Sequence, residues 1–148
     1  MTAKEYLRQV RLLDQKINQR IEEAGELRQI MITLRSPALD KDAVQTSPEA
    51  DPIGSALVKY CELERTIDRM IDEFIDLKHK IIGEIQQLKD ARMVELLYLR
   101  YIKYMRLEEI ACTMRKNDGG TYTYEYIRRL HGYSLKEFSK CHSKVTFK

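Results

Sequence analysis

The sequence lacks long apolar runs, paired cysteine motifs and phosphate-binding glycine loops, and each absence removes a class of protein. No stretch approaches the ~18 consecutive apolar residues of a membrane-spanning helix, and the opening TAKEYLRQVRLLDQK has no secretory signal. A cytosolic chain with no membrane attachment is therefore expected. Its three cysteines, Cys61, Cys112 and Cys141, are an odd number at wide spacing without a C-x-x-C, so reduced thiols are expected. Cys141 and His142 are adjacent, but two ligands without a third nearby do not make a metal site. H-E-x-x-H and G-x-S-x-G are missing, and the carboxylates fall on the outer faces of helical patterns. Neither catalysis nor a cofactor is expected.

What is present is charge, unevenly placed. With 43% hydrophobic and 33% charged residues, the 148-residue chain has enough apolar content to exclude wholesale disorder and to build one or two domains. Residues 1–88 carry 13 Lys and Arg against 16 Asp and Glu, a net of −3. Residues 89–148 carry 13 against 7, a net of +6, and hold seven of the nine tyrosines. A basic, tyrosine-rich part behind an acidic part suits one nucleic-acid-binding module and one protein-interaction module.

Residues 2–35 read as one helix, capped by Thr2 with Glu5 as its capping-box partner. Tyr6, Val10, Leu13, Ile17, Ile21, Ala24, Leu27, Met31 and Leu34 step by three and four, a narrow seam of coiled-coil type. Ser36-Pro37 ends it, and residues 36–52, with Pro37, Pro48 and Pro52, read as a loop. A second helix is expected from Ile53 to Leu88, with Leu57, Tyr60, Leu63, Ile67, Met70, Phe74, Leu77, Ile81, Ile85 and Leu88 along its seam. The two match in length, roughly 50 Å each at 1.5 Å per residue, and should pair as an antiparallel hairpin. Two helices bury little, so the hairpin is expected to pack against a second copy or against the C-terminal part. Lys89-Asp90-Ala91-Arg92 joins the two parts, with a continuous helix as one option and Gly83 as the nearest hinge.

From Val94 onward the pattern shortens. Val94, Leu97, Tyr98, Tyr101 and Ile102 mark one helix, and Leu107, Ile110, Ala111 and Met114 a second. Ile127, Leu130, Leu135 and Phe138 mark a third, with Arg128, Arg129 and Lys136 between them. LRYIKYMRLEEIACTM resembles the first two helices of the fourth conserved region of bacterial RNA polymerase sigma factors. In that family a Leu-Arg-Tyr ends one helix (here Leu99-Arg100-Tyr101), and Leu-x-Glu-Ile-Ala opens the next (Leu107 to Ala111). Thr123 to Phe138 aligns with the family's recognition helix without a gap. The resemblance covers roughly a third of the chain and extends to small phage regulators that carry this module behind a helical N-terminal region. One departure is an eight-residue insertion, Arg115 to Tyr122, where the family has a short turn. Asn117-Asp118 and Gly119-Gly120 favour a turn there, acting either as a mobile finger beside DNA or as a device that tilts the helix.

The expected architecture is all-α: a long antiparallel, coiled-coil-like hairpin (1–88), a sigma region 4-like helix-turn-helix (89–140) and a basic tail (141–148). The resemblance implies recognition of double-stranded DNA. Thr123 would cap the helix, and Tyr124, Glu125, Arg128 and Arg129 would face the groove, where Arg can grip guanine and Glu can accept from cytosine. Lys136, Arg115 and Lys116 would sit near the backbone. His131 reads as a DNA contact or a surface residue without a role, His79 as solvated, and residues after Phe138 as a frayed end. A phage or prophage transcriptional regulator in the bacterial cytoplasm follows, acting on promoter DNA or docking onto RNA polymerase, with a homodimer in view. The resemblance does not extend to the sigma region that binds the −10 element, so it does not imply a complete initiation factor. Two other readings stand beside it: a DNA-packaging accessory of the small-terminase kind, and a polymerase-binding adaptor without specific DNA binding.

Overall fold

In the computed structural model, residues 1–35 and 51–142 are described, and they form five helices with no strand. The fold is all-α, as the periodicities require. Helix α1 runs Ala3–Arg35, α2 Pro52–Gln86, α3 Ala91–Tyr101, α4 Leu107–Thr113 and α5 Tyr124–Cys141. The loop expected between α1 and α2 lies, from residue 36 to residue 50, outside the described residues.

Local chemistry sets the helix ends. The Thr2 and Glu5 capping box forms both its bonds: the Thr2 N–H donates to Glu5 Oε2 at 2.7 Å, and the Glu5 N–H to Thr2 Oγ1 at 3.2 Å. Those bonds hold the Glu5 carboxyl below its ordinary pKa. Helix α2 starts one residue earlier than expected because Pro52 suits the first helical position, where its missing N–H costs nothing. The Asp51 carboxylate accepts the Gly54 N–H at 2.9 Å. A continuous helix from α2 into α3 is ruled out by the backbone. Tight turns at Gln87 and Leu88 stop α2, and Asp90 then caps α3 by accepting the Arg92 N–H at 2.9 Å. Gly83 stays inside α2. At α4, Glu109 reaches back to the Arg106 N–H at 2.8 Å, a role consistent with acids at a helix start.

The chain divides into two compact units, Met1–Asp14 with Phe74–Lys148, and Gln15–Glu73. The division does not follow residue 88. In the first unit the start of α1 and the end of α2 share one core with α3, α4 and α5. Leu7, Val10, Ile81, Ile85, Leu96, Leu97, Ile110, Met114, Ile127 and Phe138 are fully buried there. At about 1.5–3 kcal/mol for each large apolar side chain, these contacts dominate the unit's stability. Tyr101 is buried as expected, while Tyr98 is half-buried at the core's edge. Between α3 and α4, Tyr104 adopts φ 59°, and the turn is closed by Arg100 Nη1 donating to the Met105 carbonyl at 2.8 Å.

The second unit pairs α1 and α2 antiparallel. Arg28 to Arg35 face Ile53 to Tyr60, and Ile21 to Arg28 face Tyr60 to Asp68. Its core is thin: Ile17, Ala24, Ala56 and Ile67 are buried, whereas the expected seam residues Ile21, Leu34 and Leu57 are about half exposed. Ile30, Ile32 and Val58 are exposed as well. Two helices contact along one line only, so a seam wider than that line stays in solvent.

Candidate nucleic-acid interface

Helix α5 carries most of the residues singled out in the sequence, and its facing decides what they can touch. Thr123, extended at φ −78° and ψ 152°, caps it by accepting the Tyr126 N–H on Oγ1 at 3.3 Å. Ile127, Leu130, Ser134 and Phe138 form its buried side. Leu135, half-buried, packs against the edge of the core, and Ser134 takes the fully buried position beside it. Steps of three and four from Leu130 lead to Ser134, and Leu135 lies about 100° further round. Ser134 tolerates full burial because its Oγ donates to the Leu130 carbonyl at 2.7 Å.

Opposite the buried side, at about 100° per residue, come Glu125, Arg129, Gly132 and Lys136. All four are exposed. Tyr124 and Arg128 flank this centre line on one side and Tyr133 on the other. Arg128 pairs with Glu125 at 3.1 Å, both side chains about 60% exposed, an arrangement that solvent screens and a ligand can open. Among the described residues, Arg129 and Lys136 form no ion pair. The Lys136 ammonium lies 6.0 Å above the Tyr133 ring. With Arg128, Arg129 and Gly132 these two line a shallow concavity of about 330 Å³. A Cβ on Gly132 would meet nothing within 4 Å, so the middle of this face is open. Tyr133, 60% exposed, was not among the sequence candidates. Its signal was there, four residues after Arg129 and three before Lys136, but a tyrosine on an amphipathic helix is more often core.

Two histidines turn inward. His131 is half-buried against α3, with Nε2 3.0 Å from the Tyr101 hydroxyl and the rings stacked at 5.9 Å. Burial, then the charges of Arg100 and Lys4, lower its pKa to about 4, so the ring is neutral at physiological pH. It points away from the exposed face and is neither a groove contact nor a free surface residue. His142 is a correction as well: α5 continues past Phe138 to Cys141, and His142 caps it, buried. Its ring sits 4.5 Å from Phe138, with Nε2 3.1 Å from the Glu84 carbonyl. Cys141 beside it is exposed, so the two side chains diverge. Residues 143–148 of the expected tail lie outside the described residues. His79 is exposed.

The insertion folds as a closed turn. Arg115 bridges Thr121, the Lys116 N–H donates to the Gly120 carbonyl at 2.8 Å, and the Gly119 N–H to the Lys116 carbonyl at 2.9 Å. Gly119 takes φ +83°, which glycine adopts cheaply, and Asp118 Oδ1 accepts the Gly120 N–H at 2.8 Å. Arg115 and Lys116 are exposed on this turn and lie with Thr123 at the start of α5. Lys136 is thirteen residues further along, roughly 20 Å at 1.5 Å per residue. The candidate residues thus form two groups, a face along α5 and a basic corner at its N-terminus.

Comparisons with protein-family models, with curated proteins and with solved structures find no match to this chain.

Proposed function

We propose that this chain is a DNA-binding transcriptional regulator of phage or prophage origin that reads promoter DNA with α5 in the major groove. The carrying observation is the division of α5. One side is pinned by Ile127, Leu130 and Phe138, and the other presents Glu125, Arg128, Arg129, Tyr133 and Lys136 to solvent. A helix held from behind and polar in front is what groove reading needs. Arg129, at the centre of the face, is best placed for a two-bond contact with guanine, and Glu125 for cytosine. Lys136 and Tyr133 suit the backbone. The likeness to sigma factors supports the promoter and, as a second partner, RNA polymerase. A homodimer would cover the exposed Ile30, Ile32, Leu34, Leu57 and Val58 of the hairpin unit, since large exposed apolar groups mark interaction surfaces.

The test is to sequence genomic fragments retained by the protein at a fixed ~150 mM salt, because phosphate contacts make affinity steeply salt-dependent. A variant with Arg128→Ala and Arg129→Ala is run beside it. Promoter-proximal sites, lost in the variant, are expected. Sites clustered at a packaging start would favour a terminase-like accessory, and no enrichment with either protein would refute specific DNA reading and leave the adaptor. Light scattering at micromolar concentration should give twice the monomer mass, and Leu57→Lys with Ile32→Glu should halve it. A monomeric wild type would count against the dimer.

A further inference from the structure

A cleft of about 660 Å³ opens at the N-terminal end of α5, away from the face just described. Its walls come from three separate places: the first turn of α3, the insertion, and the first turn of α5. Cations enter from two of them. Arg92 stands on α3, and Arg115 and Lys116 on the insertion. Glu95 is the opposing charge in the lining.

The cleft is organised rather than merely basic. The Arg92 guanidinium is held in place by Asp90 at 2.9 and 3.2 Å and donates to the Tyr126 hydroxyl at 2.8 Å. Three of its five N–H donors are engaged by these bonds, and two remain. Tyr126 stacks on Tyr122 at 4.9 Å with rings nearly parallel, and the Lys116 ammonium lies 5.7 Å above Tyr122. The stacked pair thus gives one apolar wall between the cations. The first residue of α3 and the cap of α5 also line the cleft, so the positive ends of two helix dipoles meet there.

We propose that this cleft holds a backbone phosphodiester of duplex DNA, and that the insertion exists to build it. A held guanidinium with two further cations beside an apolar aromatic wall matches a phosphate beside a deoxyribose. The volume exceeds what a single phosphate fills. The cleft is lined by Thr123 and Tyr126, the cap and first turn of the helix that enters the groove, and the strand flanking that groove passes by that end of the helix. The assignment rests on the DNA-binding reading of α5; Arg115 and Lys116 were already expected near the backbone, and the cleft adds Arg92 and gathers the three on one phosphate.

The experiment titrates a mixed-sequence duplex against the full chain over a range of salt. Four variants are compared with wild type: Arg115→Ala with Lys116→Ala, Arg92→Ala, the α5 pair Arg128→Ala with Arg129→Ala, and a hairpin control, Lys59→Ala with Arg65→Ala. All the substituted residues are exposed, so circular dichroism should be unchanged. Each phosphate neutralised contributes about 0.9 to the slope of log affinity against log salt, so losing the one phosphate in the cleft should lower the slope by up to about 0.9 in the Arg115/Lys116 variant and by part of that in Arg92→Ala. The control should keep the wild-type slope. Cleft variants that bind like wild type while the α5 variant fails, or that lose no more than the control, would overturn the cleft and leave the α5 reading intact. A wild type that binds no duplex would overturn both.

Discussion

Everything inferred for α5 depends on which side faces the core, and two aromatic residues five positions apart test this directly. Phe138 is fully buried, with the Tyr6 ring at 6.3 Å and the His142 ring at 4.5 Å. Tyr133 is 60% exposed and meets the Lys136 ammonium. Truncating a buried Phe to Ala costs about 3–5 kcal/mol through lost transfer energy and the cavity left behind. With a urea dependence of about 2 kcal/mol per M, the unfolding midpoint of Phe138→Ala should fall by about 1.5–2.5 M. Tyr133→Ala removes no core contact, and Ala is the better helix former by about 0.5 kcal/mol, so its midpoint should move by no more than about 0.3 M in either direction. The assay is urea titration followed by circular dichroism at 222 nm (the usual helix band), with both variants at the same protein concentration. Equal shifts, or a larger one for Tyr133→Ala, would mean that α5 is rotated about its axis. Arg129 and Lys136 would then leave the exposed face, and the groove-reading proposal would fall with them.

Two glycines should respond to the same substitution with opposite sign. Gly119→Ala places a Cβ at φ +83° and should cost about 1–2 kcal/mol, although no neighbouring atom lies within 4 Å of it. Gly132→Ala sits in open space on α5 and should gain up to about 1 kcal/mol of helix propensity, both read as urea midpoints. His131 sets a pH dependence. Its folded pKa, about 4, lies below the ordinary value of 6.5, so between those values the unfolded chain binds the proton and the folded one does not. Its contribution is complete above about pH 6.5 and is lost as pH falls toward 4. The wild-type midpoint should therefore drop more between pH 7 and pH 5 than that of His131→Gln; matching slopes would mean the ring is solvated and titrates normally.

The tyrosines show why pattern alone misassigns some residues. Tyr101 and Tyr133 are the same residue type on amphipathic helices, yet one is buried against His131 and the other is about 60% exposed beside Lys136. Period and neighbours decide this only after the helix is seated, and seating is a tertiary event. Ser134 and Leu135 make the same point in reverse. Leu135 packs at the edge of the core as its polarity suggests, but rotation along the helix gives the fully buried position to Ser134, whose hydroxyl found a carbonyl one turn back. His142 looked like part of a frayed end because no apolar period reaches it, but Phe138 one turn back lies against its ring and the end of α2 supplied the Glu84 carbonyl.

Local signals set the five helices and most of their ends, because caps, proline placement and three-to-four spacing act within a few residues. Thr2 with Glu5 and Thr123 could be read before any fold was known, and so could the helical Val94–Ile102 and Leu107–Met114 patterns. How the chain divides depends instead on packing between distant segments. The start of α1 and the end of α2 belong to the core of the C-terminal helices, since Leu7, Val10, Ile81 and Ile85 find cover there. Packing also decided that the insertion closes on itself beside Arg92. That contact joins residues more than twenty positions apart, and no local preference encodes it.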